Sequence, residues 1–316
     1  MFKKNRSYQG PCSDHFDGKK FFYPGSNQPS FRHFIKWIST RSPAKWPKQY
    51  PVTPTVPPQA HQELLVTLIN HSSVLIQWEE MNILTDPIWS DRASPFAWIG
   101  PKRVHKPGVA FEDLPPIHLV LLSHNHYDHL DLPTLKRLNE QHHPLILTGL
   151  GNSKLLKKHH LTLVEELDWW QNHKVGPLSI SFTPAKHFSA RWLWDRNDTL
   201  FGSFVISLQG KSLFFAGDSG YGPHFQEIGE RFPFIKLALL PIGAFEPRWF
   251  MKFNHLSPLD ALQAHQDLHA ETSIAIHHST FPLSDEAIDK PQTIIDTHKK
   301  ENRFLILPPG GSQLVY

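Results

Sequence analysis

An internal disulfide is ruled out first: the 316 residues hold one cysteine, Cys12, so the fold does not depend on an oxidising compartment. No apolar run approaches the ~18 residues of a bilayer-spanning helix, and the opening Met1-Phe2-Lys3-Lys4 leads into polar residues instead of a signal-peptide core. A dominant charge is also missing. The 32 Lys and Arg against 29 Asp and Glu leave a net +3 and a pI near 8.8, scattered along the chain without the basic stripe that a nucleic-acid partner requires. No repeat, low-complexity segment or Gly-x-Ser-x-Gly elbow occurs, so a solenoid and a serine nucleophile of that type are not expected. The expectation left is a cytoplasmic protein, peripheral at a membrane at most, with no nucleic-acid partner and a length that buries an ample core.

What the chain does have is proline and aromatic residues: 28 Pro, 22 Phe and 10 Trp. Residues 1–60 carry little periodicity and read as an N-terminal arm packing on a body of residues 61–316. One short amphipathic helix is predicted there, Phe31 to Ser39, with Phe31, Phe34, Ile35 and Ile38 on one face. From Leu64 the pattern becomes β-rich: Leu64–Ile69, Ser73–Trp78 and Asn82–Thr85 suit a meander of hairpins. A long loop, residues 88–116, holds Trp89, Arg92, Phe96, Trp98 and Lys102-Arg103; loops of that length are usually functional or disordered, and its aromatic content favours function. Further strands are predicted at 117–122, 145–148, 161–167, 178–183, 203–208, 212–216, 236–241, 272–276 and 304–307. Helices are predicted at 132–140, at 152–160 with Asn152 as cap, and from Ser257-Pro258 to about His269.

The stretch Ser123 to Asp131 reads Ser-His-Asn-His-Tyr-Asp-His-Leu-Asp directly after a predicted strand. It places His124, His126, Asp128 and His129 within six residues. Imidazole and carboxylate suit zinc or a similar divalent ion. Neighbouring side chains leave a strand or turn in different directions, so this segment cannot close four bonds around one tetrahedral ion. Two ions are the economical reading.

Three more strands end in a potential ligand: His187 after 178–183, Asp218 after 212–216 and His277 after 272–276. Taken singly, Asp218 suits a turn in Gly-Asp-Ser-Gly, and either histidine suits a buried hydrogen bond. Together they form two sets. His124, His126 and His187 serve a first ion; Asp128, His129 and His277 a second; Asp218 can bridge them with its two oxygens. Such a pair would lower the pKa of water from 15.7 to about 7, worth roughly 12 kcal/mol, whereas a positioned general base contributes ~10²–10⁴-fold, or roughly 3–5 kcal/mol. The metals are therefore expected to generate the nucleophile, with Asp128 and Asp218 as catalytic carboxylates.

This order of ligands resembles the metallo-β-lactamase superfamily. Finer stretches are similar to its N-acyl-phosphatidylethanolamine-hydrolysing phospholipase D-like family: Leu84-Thr85-Asp86-Pro87-Ile88, Arg92-Ala93-Ser94-Pro95, Gly100-Pro101-Lys102-Arg103, Leu114-Pro115-Pro116-Ile117 and the run Gly243 to Lys252. The resemblance implies an α+β fold, a four-layer αββα sandwich. It further implies two Zn²⁺, with Mn²⁺ or Fe²⁺ as alternatives, and cleavage of a lipid phosphodiester to N-acylethanolamine and phosphatidic acid. Its metal ligands carry over onto His124, His126, Asp128, His129, His187, Asp218 and His277. Tyr127 matches a tyrosine within the metal motif, and Asn254-His255 stands where Gln-His lines the substrate site. Tyr127, Asn254 and His255 are therefore expected at the substrate, with His255 orienting the phosphate or protonating the leaving alkoxide. Asn70-His71 replaces Gly-His and His278-Ser279 replaces Trp-Gly, which bears on the headgroup and not on the reaction class. Peripheral membrane contact and a homodimer are further implications. The competing readings are a hydrolase of a soluble phosphodiester, lactone or sugar phosphate, a nuclease, and a metal-binding scaffold.

Overall fold

Runs such as Leu119-Val120-Leu121-Leu122, wholly buried, are continuous in apolarity instead of alternating, the pattern of strands covered on both faces. The computed structural model describes residues 5–26, 29–299 and 303–316. Met1-Phe2-Lys3-Lys4 and the side chain of Phe31 lie outside them. The first sheet contains β1 (Leu64–Asn70), β2 (Ser73–Trp78), β3 (Met81–Thr85), β4 (Leu119–Leu122), β5 (Leu145–Gly149), β6 (Val164–Leu167) and the last strand, β14 (Ser312–Val315). Its order is β14-β1-β2-β3-β4-β5-β6. Antiparallel pairing from β14 to β3 gives way to parallel pairing from β3 to β6. Helices α2 (Leu132–His142) and α3 (Ser153–Lys158) make the crossovers.

The second sheet runs β13-β12-β11-β10-β9-β8-β7. It comprises β7 (Asn172–Val175), β8 (Leu178–Thr183), β9 (Ser203–Leu208), β10 (Lys211–Phe215), β11 (Ile235–Pro241), β12 (Thr272–Ile276) and β13 (Phe304–Leu305). Its helices are α4 (His224–Arg231), α5 (Arg248–Met251), α6 (Pro258–Asp267) and α7 (Lys290–His298). Ser257 caps α6: its hydroxyl accepts from the Asp260 amide at 3.2 Å while the Asp260 carboxylate accepts from the Ser257 amide at 2.9 Å, a reciprocal cap worth about 1 kcal/mol.

Three apolar clusters define the layers. One fills the space between the sheets (Leu121, Leu147, Phe182, Phe204, Leu239). A second joins β4 and β5 to Leu135, Leu138 and Leu156 of α2 and α3. The third joins β10 to β12 with Phe225, Ile228, Ala261 and Ile295 of α4, α6 and α7. The result is the αββα sandwich expected.

The N-terminal residues are fastened to this body. Phe16 and Phe21 enter the inter-sheet cluster, His15 reaches Asp168 at 2.7 Å, and Trp37 of α1 (Phe31–Thr40) stacks on Phe250 at 5.0 Å. Further along, Arg41 pairs with Asp285 at 3.0 Å and the Trp46 indole donates to the Glu286 carbonyl at 2.8 Å.

Several local expectations change. Asn152 makes no side-chain cap; its amide donates back to the Gly149 carbonyl at 3.0 Å. The segment 304–307 shortens to β13 at one sheet's edge, and β14 closes the other sheet. Strand β7, alternating in burial, and helices α4, α5 and α7 were not anticipated. Among the described residues no helix is long and apolar enough to cross a membrane.

Candidate metal centre

The site forms because β4, β8, β10 and β12 end on one edge of the sandwich, each delivering its donors from a rigid strand end. Asp218 follows Gly217, whose φ of +57° is left-handed and whose α-carbon lies against Ser123: an added Cβ would stand 2.5 Å from Ser123 Cβ. Glycine there lets β10 deliver Asp218 next to the histidine turn. His71, Asp86 and His277 also take positive φ (45°, 33° and 57°), a strained backbone at three residues of the cluster.

The first donor set is His124, His126 and His187. His124 Nε2 lies 2.8 Å from His126 Nδ1, which is 3.2 Å from His187 Nε2. The second set is His71, Asp128, His129 and His277, whose donor atoms lie within 4.8 Å of one another. Asp128 Oδ2 stands 3.1 Å from His71 Nε2 and 3.5 Å from Nε2 of both His129 and His277. Between the sets, Asp218 Oδ2 is 3.8 Å from His187, 3.3 Å from His129 and 3.1 Å from His277. Asp218 therefore lies within reach of donors from both sets.

Outer hydrogen bonds fix which nitrogen faces inward. His187 Nδ1 donates to the Asn254 carbonyl at 2.8 Å, His129 Nδ1 to Asp86 at 2.6 Å, and His124 Nδ1 meets the Ser123 hydroxyl at 2.9 Å. Asp86 is itself held by the amide and hydroxyl of Ser123 at 2.8 and 2.5 Å. The inward Nε2 atoms of His129 and His277 and Oδ1 of Asp218 are buried without a hydrogen-bond partner. Buried polar atoms are rarely orphaned, so donors of this chemistry converging without partners fit a cation.

Electrostatics point the same way. Burial pushes His124 and His187 well below the usual histidine value and His126 to about 3, so they are neutral nitrogen donors. Burial would also lower His277, but Asp218 and Asp128 raise it to about 9. It would raise both carboxylates, but the facing histidines hold Asp128 and Asp218 well below the carboxylate range. The cluster carries fixed negative charge that calls for protons or metal.

A groove of about 480 Å³ descends to this centre. His126, Asp128, Asp218, Asn254 and His255 reach its inner end, and Phe34, Trp37, Phe188, Trp192, Leu193 and Phe250 wall it. His255 Nδ1 is buried, unpartnered and 3.7 Å from Asp218 Oδ2. Burial holds His255 down at about 4, so it meets a substrate as a neutral imidazole. Asn254 lines the groove while its carbonyl anchors His187. Tyr127 is not brought into the groove; it lies under the Arg191 guanidinium, 3.9 Å from ring centre to Cζ.

Two residues of the site were not foreseen as part of it. His71, in the β1–β2 turn, was notable only as a departure from a motif. Asp86 stands in the sequence only within the family-like stretch Leu84 to Ile88, and the parallel pairing of β3 with β4 sets it beside His129.

Comparison with known proteins places these features. The family profile described as "Beta-lactamase superfamily domain" matches residues 81–278. An N-acyl-phosphatidylethanolamine-hydrolyzing phospholipase D of Caenorhabditis elegans is 34% identical over 266 residues, covering 78% of this chain and 74% of that protein. A mitochondrial protein of the same description from Saccharomyces cerevisiae is 36% identical over 233 residues, covering 72% of this chain and 50% of that one. Among solved structures, an isothiocyanate hydrolase from Delia radicum gut bacteria superposes with a TM-score of 0.66 at 20% identity, covering 80% of this chain and all of that one. At that identity the likeness speaks for the fold alone.

Proposed function

This chain belongs to the metallo-β-lactamase superfamily, within its N-acyl-phosphatidylethanolamine-hydrolysing phospholipase D-like family, and from that premise we propose that this metal-dependent hydrolase is a binuclear zinc phosphodiesterase acting on N-acylated phosphatidylethanolamine or a related lipid. The observation that carries the reading is the apolar groove ending on the histidine and aspartate cluster: a wall of Phe, Trp and Leu suits an acyl chain, and its polar end suits a phosphodiester.

Held by His124, His126 and His187 on one side, by Asp128, His129 and His277 on the other, and shared by Asp218, two divalent ions would acidify water and offset the charge of phosphoryl oxygens. The chain's own residues do the rest. The aromatic wall excludes bulk water and fixes the acyl chain, so the phosphate arrives in one orientation. His255, neutral, offers an N–H to a phosphoryl oxygen or the leaving oxygen; its low pKa favours orientation over proton donation. Water adds its oxygen to phosphorus, the bond from phosphorus to the ethanolamine oxygen breaks, and that oxygen takes a proton. The products are phosphatidic acid and N-acylethanolamine.

The groove's lip supports peripheral contact with a bilayer. Leu193 is 92% exposed and Trp194 65%, and Ile35 and Ile38 on α1 are also exposed, beside the exposed Lys36.

The test is incubation with vesicles containing N-acylphosphatidylethanolamine in H₂¹⁸O. The proposal expects N-acylethanolamine, with the label in phosphatidic acid. Hydrolysis of a water-soluble diester such as bis(4-nitrophenyl) phosphate, with no lipid turnover, would replace it with the soluble-substrate reading.

A further inference from the structure

The long loop of residues 88–116 contributes little to the groove, yet it builds a second hollow. Residues 102–106 face residues 48–52 across about 760 Å³, and no residue lines both this hollow and the groove. Lys48, Lys102, Arg103 and Lys106 lie in its wall against a single acid, Asp91. Four cations and one anion give the lining a net +3, as much as the whole chain carries. Lys48, Lys102 and Lys106 are exposed, and the Lys102–Asp91 pair is loose at 4.0 Å, so little of that charge is neutralised.

The hollow is preformed. The Tyr50 amide donates to the Val104 carbonyl at 2.6 Å, the Arg103 amide to the Asp91 carbonyl at 2.9 Å, and the Val104 amide to the Thr280 carbonyl at 3.0 Å. Arg103 supplies an independent sign of an unmet need. It is 93% buried; Nε and Nη2 donate to the Ser90 and Ile88 carbonyls at 3.0 Å, and Nη1 has no partner. A buried guanidinium normally sits against a carboxylate or phosphate; here two carbonyls hold it over the Phe281 ring, 5.4 Å from ring centre to Cζ. Tyr50, half exposed, adds a hydroxyl and a ring face.

We infer that this hollow is a binding site for a phosphomonoester, held by Lys48, Lys102 and Lys106 over the charge of Arg103. A compact dianion suits several ammonium groups around one hollow, and the volume exceeds what phosphate alone would fill. The phosphomonoester is carried either by a small soluble molecule or by an anionic lipid headgroup. The site is separate from the metal centre and stands whether or not the proposed lipid substrate is correct.

The experiment uses the metal-loaded protein and two probes: glycerol 3-phosphate by calorimetry, and flotation with vesicles of phosphatidylcholine with and without phosphatidic acid. The wild type is compared with the triple variant Lys48→Gln/Lys102→Gln/Lys106→Gln and with Lys102→Glu alone, which keeps the test alive if the triple fails to fold. Phosphate bound at the metal centre is common to all three, so the difference isolates the hollow. At about fivefold per lysine, the triple variant should lose roughly a hundredfold in affinity. Loss confined to glycerol 3-phosphate identifies a soluble ligand, and loss confined to phosphatidic acid vesicles identifies a lipid headgroup. Unchanged binding of both probes by the variants, or no wild-type binding beyond the metal centre, overturns the inference.

Discussion

The Asp86 carboxylate lies 2.6 Å from Nδ1 of His129, with both side chains fully buried. Asp86 therefore holds the imidazole in the tautomer whose Nε2 faces the cluster, and it makes that nitrogen a stronger donor. Asp86→Asn keeps the shape and loses the charge. Metal affinity at the second donor set should fall about 10–100-fold. Competition with a chromogenic chelator measures it, and affinity equal to wild type would refute the role.

His255→Gln should keep the metal content of wild type and lower kcat by about 10–100-fold, since it removes an oriented donor and no ligand. Steady-state kinetics alongside metal analysis separate the two effects. Loss of metal in this variant would instead make His255 a ligand through its approach to Asp218.

Membrane contact at the groove's lip has its own signature. Ile35→Asp/Trp194→Asp alters exposed side chains outside the groove lining, so turnover of bis(4-nitrophenyl) phosphate should stay at the wild-type level. Turnover on vesicles should fall about tenfold, as two charges oppose insertion of the lip. Equal loss on both substrates would place the effect inside the site.

The N-terminal segment should hold more tightly in acid. Burial would lower His15, but its bonds to Asp168 and Asp14 raise its pKa above the unfolded value near 6.5. The sign follows from linkage: a raised histidine contributes stability fully below the unfolded pKa and loses it as pH rises through the folded pKa. Limited proteolysis within residues 5–26 should therefore be slower at pH 5.5 than at pH 8.5. In His15→Gln the difference should shrink.

Gly217→Ala tests how the strand end delivers Asp218. A left-handed backbone costs a non-glycine residue about 1–2 kcal/mol, and the methyl would meet Ser123 as well. Thermal unfolding should show a loss of at least about 2 kcal/mol, together with weaker metal binding. A neutral substitution would mean that the turn relaxes without moving Asp218.

The parts of this site legible in the sequence were those where a rigid element ends in a polar side chain. The run Leu119 to Leu122 followed by four potential ligands needed no tertiary information, and His187, Asp218 and His277 repeat the pattern. His71 and Asp86 were harder to place because their roles come from neighbours distant in the chain, Asp128 and His129, and a turn histidine or a strand-ending Asp-Pro has an ordinary local explanation. Tyr127 shows the reverse: it sits inside the motif, but the turn directs it toward Arg191 and away from the groove. Elements whose stability comes from packing, such as β7 and α5, left little periodicity to read. The hollow at Lys102 joins segments some fifty residues apart and had no local signal beyond its charge.

Metal analysis of the purified protein and of His187→Ala, by plasma mass spectrometry with activity measured on the same samples, tests the central claim most directly. The account predicts two divalent ions per chain in the wild type, about one in the variant, and activity that disappears with chelation and returns with zinc. Full activity in protein carrying no stoichiometric metal would contradict it.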